Sequence, residues 1–277
     1  MCELSAVQKA LMMECLAFPD VQVMIGQAEP ETVFLDEDSG ESGINPLAVI
    51  WRLNHPDDER CKMCSAGTTC KCIFYPTMSK LLKIVSHPSS LQVDRRTLDD
   101  KKRAKQMAFL RAFAPETVAM LPGEGGGLYL SERWTDLTNI TISGKMEALA
   151  NMLDHFYNTN CKTLIFSGIL RVLDCIGAYI KSKGRSYTRI DGNVSVEQRQ
   201  SIVYEFQTKS QTLLPYMLMS TEVGGLGFNL TAASKVIIFD VNWNPTKDQQ
   251  SQDRAYRIGQ KEKVSVYRLV AKGTLAY

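Results

Sequence analysis

Residues 216–240, YMLMSTEVGGLGFNLTAASKVIIFD, decide the fold of this chain. Two short apolar runs, Tyr216 to Met219 and Val236 to Phe239, bracket a polar stretch rich in glycine. Apolar runs of this length, bounded by turn formers, read as strands buried on both faces. Between them Ser220, Thr221, Gly224, Gly225, Gly227 and Asn229 form a loop directly after a strand. Glycines let backbone N–H groups approach phosphate oxygens, and a hydroxyl adds one more hydrogen bond. A tight turn with no ligand is the plainer reading of the same GGLG stretch.

The pattern extends in both directions. Thr163 to Phe166 reads as a strand, Leu170 to Ile180 as a helix, Tyr187 to Ile190 as a strand and Val196 to Phe206 as a helix, with a further strand at Val264 to Leu269. This alternation predicts an α/β fold, a parallel sheet with helices on both faces and functional loops at the carboxyl ends of the strands. Ser167 with Gly168, and Asp191 with Gly192, fall at such ends. Asp191, Asn193 and Ser195 are equally good turn and N-cap residues for the helix that follows. The alternation begins at Ser143, which puts a boundary near residues 130 to 143 and divides the chain into 1–140 and 141–277.

Downstream, residues 240–260 read DVNWNPTKDQQSQDRAYRIGQ. Arg254 and Arg257 stand three apart, a spacing that predicts one helical face. Guanidinium is planar, permanently charged and able to bond phosphate oxygens in pairs, which suits it to charge that grows during phosphoryl transfer. A solvated basic helix is the bland alternative. Trp243 fills core or faces a ligand on this spacing.

These segments resemble, in order, the second RecA-like lobe of Swi/Snf-type DNA-dependent ATPases: KTLIFSGIL at 162–170, YTRIDGNVSVEQRQSIVYEF at 187–206, MSTEVGGLGFNLTAASKVIIFD at 219–240, and WNP, Gln250 and DRAYRIGQ after them. Four motifs in the right order are far more specific than any one alone. Val223 before the glycine pair and the run Lys263 to Leu269 look closest to the Cockayne-syndrome-B and excision-repair-like branch. The resemblance implies catalytic roles for Arg254 and Arg257 and nucleotide contacts from Gly225, Gly227, Asn229 and Gln250. It implies DNA contacts from Ser167, Gly192, Thr221 and Trp243. ATP and magnesium are the implied cofactors, and double-stranded DNA, nucleosomes or repair and transcription complexes the implied partners, in the nucleus. Glu222 stands where the family pattern carries a basic residue, so that side chain is not expected to meet phosphate.

The first 140 residues match the family weakly. LSAVQKALMMECLAF carries Leu4, Val7, Leu11 and Leu16 at near-helical spacing before Pro19 and reads as an amphipathic helix. MSKLLKIVSHPSSL is a second helix candidate, and DRRTLDDKKRAKQMAFLRAF a third with a solvated or DNA-facing charged side. The acidic stretch 26–43 and the GEGGG run at 123–127 read as loops, so this part is a mostly helical linker or protrusion with insertions. Cys61, Cys64, Cys70 and Cys72 form C-x2-C-x5-C-x-C, which either surrounds one tetrahedral zinc or is a set of unrelated thiols. Cys2, Cys15, Cys161 and Cys175 read as small buried or semi-buried residues.

Composition narrows the class. An apolar share of 44% over 277 residues is ordinary for a globular protein, and a formal charge of +2 leaves any nucleic-acid contact to a local surface. The sequence has no apolar run near the roughly 20 residues that cross a bilayer, and Glu3 sits where a secretory leader carries positive charge, so a soluble, intracellular protein without membrane contact is expected. A reducing compartment then disfavours disulfides.

An ATPase of this class needs GxxxxGK[ST] after a strand to hold the β- and γ-phosphates and the metal. The sequence contains none; Ser143-Gly144-Lys145 lacks both the earlier glycine and the hydroxyl after lysine, and VFLDEDS at 33–39 only imitates a metal-binding strand end. The expectation is half an active site: the C-terminal part of a two-lobed motor, inactive alone. The rival expectation is a non-catalytic DNA- or protein-binding module derived from one.

Overall fold

The computed structural model describes residues 1–25, 27, 71–95, 99–112, 115–131, 134–224, 227–242 and 244–274. The chain forms two compact units, residues 6–131 and residues 1–5 with 132–277. The larger unit runs from residue 132 and also takes in the first five residues.

In the 6–131 unit, α1 (Ala6–Ala17) and α2 (Pro19–Met24) precede α3 (Lys71–Ser86), a 3-10 turn at Pro88–Leu91, α4 (Asp100–Ala112) and α5 (Pro115–Ala119). Leu11, Cys15, Met78, Leu81, Ile84, Phe109, Leu110 and Val118 are buried together. The side-chain amide of Gln8 on α1 donates to the Ile84 and Val85 carbonyls at 2.8 Å, which satisfies the orphan acceptors at the end of α3. Helix α3 begins seven residues before the candidate at Met78 and holds Pro76 within it. The expected loop at 123–127 is in part a hairpin: β1 (Gly123–Glu124) pairs antiparallel with β2 (Tyr129–Leu130). Gly125, Gly126 and Gly127 turn it at φ of 61°, 66° and 77°, a region open to residues without Cβ.

The other unit is built on a five-stranded, fully parallel sheet, RecA-like in kind. After α6 (Trp134–Leu137) and α7 (Gly144–Asn158) come β3 (Thr163–Ser167), α8 (Leu170–Ser182), β4 (Tyr187–Ile190), α9 (Val196–Thr208), β5 (Tyr216–Ser220), α10 (Thr221–Gly224), β6 (Lys235–Ile238), α11 (Pro245–Gln252) and β7 (Ser265–Arg268). The order across the sheet is β4-β5-β3-β6-β7. Period-two alternation explains the burial on both faces. Ile165, Leu218 and Ile237 face Met146, Leu149 and Leu153 of α7 and Val172, Leu173 and Ile176 of α8. Leu164, Phe166, Met217, Met219 and Val236 face the other way, toward Ile202, Val203 and Phe206 of α9 and toward Ala255. Fully burying each such side chain stabilises by about 1.5–3 kcal/mol.

Helix α9 starts at a capping box in which Ser195 and Gln198 satisfy each other's backbone N–H. Asp191 accepts from Asn193 N at 2.9 Å and from Arg189 Nε at 2.7 Å, so the turn-former reading of Asp191 and Ser195 holds. At the sheet's far edge Cys2 pairs in parallel with Ala271 beyond β7, donating to Val270 O at 2.7 Å and accepting from Lys272 N at 2.9 Å. Cys2, Cys15 and Cys175 are buried free thiols and Cys161 is half-buried, as their context predicts. Among the described residues no helix is long and apolar enough to cross a membrane.

Candidate functional site

The carboxyl ends of β3, β4, β5 and β6 present the loops in which the sequence places its candidates. Strand β3 leads away to β4 on one side while β6 leads to β7 on the other, so the two neighbours mark the point where chain direction diverges. Parallel α/β sheets characteristically bind ligands at such a point.

Beyond β6, α11 opens on Asn244, whose side chain accepts from Thr246 N, with Pro245 in the first helical position. Asp248 is buried and accepts from Asn242 N at 3.2 and 3.3 Å, pinning the loop that enters the helix. Burial pushes its carboxyl above the usual range, against the pull of the Asn242 N–H and Arg268. Gln250 is exposed on this helix.

Helix α11 ends at Gln252, so Arg254 and Arg257 do not share a helical face as their spacing predicts. Past the helix end the chain turns, with Ala255 N and Tyr256 N both donating to Gln252 O, and Leu230 N donates to Arg254 O at 2.9 Å, which ties this turn to the glycine loop. The two arginines nevertheless meet at one place. Arg257 is exposed and its Nη1 donates to Gly227 O at 3.0 Å, while Arg254 Nη1 lies 3.8 Å from where a Cβ on Gly227 would stand. Gly227 has a φ of 82°, which admits glycine and lets the loop run close to both guanidinium groups. Arg254 is 6% exposed, and burial first, then the neighbouring charge of Arg257, lowers its pKa. Positive charge is therefore concentrated where Asn229, Tyr256, Arg257 and Gln260 line an open cleft.

Two glutamines that the motif reading passed over hold this loop. Gln207 on α9 donates to Asn229 O and accepts from Ala232 N, both at 2.8 Å. Gln260 donates to Ala233 O at 2.9 Å and to Ala255 O at 3.2 Å, tying the loop to the arginine segment. Gln260 was visible as the last residue of DRAYRIGQ; Gln207 carried no local signal, since its partners are 22 and 25 residues away.

At the end of β5, Thr221 is 7% exposed and its hydroxyl has no hydrogen-bond partner among the described residues. A buried hydroxyl left unbonded costs free energy, and a bound acceptor relieves that cost. Gly192 lies in the exposed loop after β4 with open space around it. Ser167 is fully buried; its hydroxyl bonds to the Asp240 carboxylate and accepts from Ile169 N at 3.1 Å. Its side chain is thus engaged within the lobe, and the exposed backbone beside it belongs to Gly168. Lys145, the residue of the incomplete phosphate-loop motif, is buried and donates to Phe239 O at 2.9 Å with Asp240 at 3.8 Å. A lysine inside the apolar stripe Met146, Leu149, Ala150, Leu153 was the available clue. Gly225, Trp243, Cys61, Cys64, Cys70 and the side chain of Cys72 lie outside the described residues.

A RecA-like lobe with an arginine pair beside a glycine loop defines the class. Residues 144–259 match the helicase conserved C-terminal domain. Switch 2 of Arabidopsis thaliana is 31% identical over 277 residues, covering 99% of this chain and 31% of that protein. DNA excision repair protein ERCC-6-like 2 of Mus musculus is 31% identical over 276 residues, covering 99% of this chain and 16% of that protein. Chromatin-remodeling ATPase INO80 of Mus musculus is 43% identical over 136 residues, 49% of this chain and 9% of that protein. The chain spans less than a third of the length of each of these relatives. The fold is shared with the C-terminal part of the Fun30 ATPase domain, at a TM-score of 0.57 and 23% identity over 99% of this chain and 84% of that one. It is shared also with the Sulfolobus solfataricus SWI2/SNF2 ATPase core in complex with dsDNA, at a TM-score of 0.57 and 22% identity over 99% of this chain and 40% of that one. The chain carries a Swi/Snf-type, helicase-like C-terminal lobe.

Proposed function

We propose that this chain is the C-terminal half of an ATP-dependent DNA translocase that works in repair, transcription-coupled or chromatin processes in the nucleus. The observation that carries the reading is the meeting of Arg254 and Arg257 at Gly227, in the connection between β5 and β6 of a lobe whose relatives include repair and chromatin-remodelling proteins.

The donor set fits a nucleotide's phosphates: two guanidinium groups, a side-chain-free loop at Gly227 and the exposed amide of Asn229. Bound with magnesium, ATP supplies a γ-phosphate whose charge must be stabilised as its bond to the leaving group lengthens. Arg257, exposed and held by one bond to a carbonyl, is free to turn toward that charge. Arg254, buried and close behind the loop, contributes a fixed field in a water-poor setting, where an oriented charge acts most strongly. Gln207 and Gln260 keep the loop between them in place, and Gln250 on α11 is the proposed positioning residue. The groups that grip the β- and γ-phosphates and the metal belong to a partner lobe bearing the phosphate loop, so opening and closing of the two lobes is what would couple hydrolysis to stepping along duplex DNA.

The DNA face proposed for this lobe is the row of carboxyl-end loops with Gly168, Gly192 and Thr221; Trp243 is assigned to it from the sequence alone. The unbonded hydroxyl of Thr221 supports it. The experiment is binding of a fluorescent duplex of about 20 base pairs to the purified chain. Phosphate-backbone recognition predicts an affinity that falls steeply and log-linearly with salt. Absence of salt-sensitive binding would refute the DNA face. An in-frame phosphate loop and DExH-like motif in the sequence upstream of Met1 would favour the motor over a non-catalytic module.

A further inference from the structure

Lys145, Asp240 and Ser167 form a buried polar chain at the point where β3 and β6 diverge. Lys145 Nζ donates to the Phe239 carbonyl at 2.9 Å, the Asp240 carboxylate lies 3.8 Å from the same amine, and Ser167 reaches the other carboxylate oxygen. Ser167 in turn accepts from Ile169 N at 3.1 Å, which fixes the first turn after β3. Lys145 is 4% exposed and Ser167 fully buried, so none of this is a surface pair.

Burying an ammonium costs several kcal/mol, and a well-packed apolar side chain of similar volume commonly does as well or better for stability. Lys145 is buried on α7 next in sequence to the core residue Met146, where methionine or leucine would serve packing alone. Burial depresses its pKa, with Asp240 and Cys2 opposing the shift. What such a chain supplies is a fixed geometry, because each member is held by the next. The geometry it fixes belongs to two loops at once: Gly168–Ile169 after β3, with Gly168 exposed and nothing within 4 Å of its missing side chain, and Val241–Asn242 after β6.

We infer that Lys145 is a positioning residue for duplex DNA: through Asp240 and Ser167 it sets the exposed backbone of Gly168 and the loop after β6 in register to receive neighbouring phosphates of one strand. The inference rests on the proposed DNA face and assigns Ser167 an indirect part in it, its hydroxyl acting within the lobe and holding Ile169 N–H while the adjacent Gly168 backbone meets the phosphate. Neutral or misplaced members of the chain loosen both loops together, so the three residues act as a unit rather than as separate contributors.

The test measures duplex DNA affinity of the purified chain as parent, Lys145→Met, Asp240→Asn, the double variant and Leu149→Ala. Leu149 is buried one turn further along the same helix and makes none of the three polar contacts, so it controls for loss of apolar packing beside Lys145. All are compared at a temperature where circular dichroism shows each fully folded. The inference expects about tenfold weaker binding for each single variant, no further loss in the double, and parental affinity for Leu149→Ala. Binding within about twofold of the parent for Lys145→Met or Asp240→Asn overturns it. So does a Leu149→Ala variant that loses as much affinity as they do. Should Lys145→Met fail to fold, the isosteric Asp240→Asn carries the same comparison. A parent chain that binds no DNA overturns the DNA reading beneath it, whereas parental binding untouched by these variants overturns the positioning role alone.

Discussion

Replacing Arg257 separates a catalytic from a structural guanidinium by magnitude. Arg257 is exposed and donates to Gly227 O at 3.0 Å. A solvent-facing bond of that kind contributes about 1 kcal/mol or less to folding, so Arg257→Ala is expected to shift the urea midpoint of the lobe very little. An arginine that stabilises a transferring phosphoryl group contributes on the order of 10³ to 10⁵ in rate, or about 4 to 7 kcal/mol. The two roles therefore differ by several kcal/mol, far beyond experimental error. The assay joins this chain to a phosphate-loop lobe and compares turnover at saturating ATP and DNA with DNA affinity in the absence of nucleotide. Arg257→Ala should slow turnover by at least about 10³ while DNA affinity and stability stay near the parent. Arg257→Lys should not rescue it, since a point charge lacks the bidentate fork. Turnover within about threefold of the parent, well under 1 kcal/mol of barrier, would make Arg257 a surface residue and refute the assignment.

Thr221→Val, nearly isosteric, should weaken duplex binding by a few fold without destabilising the free chain, because the hydroxyl it removes has no partner among the described residues; unchanged affinity in an anisotropy titration would count against a DNA contact there. Gln207→Ala deletes two bonds of 2.8 Å that hold the loop 229–232, so amide exchange at Leu230 and Ala232 should speed up and stability should fall by about 1–2 kcal/mol; a denaturation curve superimposable on the parent's would contradict the clamp. If Cys61, Cys64, Cys70 and Cys72 ligate zinc, elemental analysis should find close to one metal per chain, lost in a Cys61→Ser, Cys64→Ser variant; metal-free protein with equal protease resistance would favour unrelated thiols.

Most of the sheet was legible because its inner strands are short, buried apolar runs between turn formers. Tyr187–Ile190 matched its expected bounds, and Thr163–Ser167 and Tyr216–Ser220 each ran one residue further. Where two explanations competed, as at Asp191 and Ser195, local hydrogen bonds decided for the turn and cap. What sequence did not carry is non-local. Beyond α11 Leu230 N bonds to Arg254 O, and the arginines meet at Gly227 through turns rather than along a helix. Lys145 was read only as part of a failed phosphate-binding motif, yet its partners lie 94 and 95 residues away, just beyond β6. The start of α3 was missed because Pro76 lies inside it. Proline there forfeits one helical bond, which the packing of Met78, Leu81 and Ile84 outweighs.

The central claim, that this lobe supplies the arginine half of a DNA-dependent ATPase, is met most directly by one phosphate-release experiment on three samples with and without duplex DNA. The chain alone should release no phosphate above background. The chain joined to a phosphate-loop lobe should hydrolyse ATP in a DNA-stimulated manner, and the same fusion carrying Arg254→Ala and Arg257→Ala should fall back to background. DNA-dependent release by the chain alone, or undiminished turnover in the doubly substituted fusion, would contradict the account.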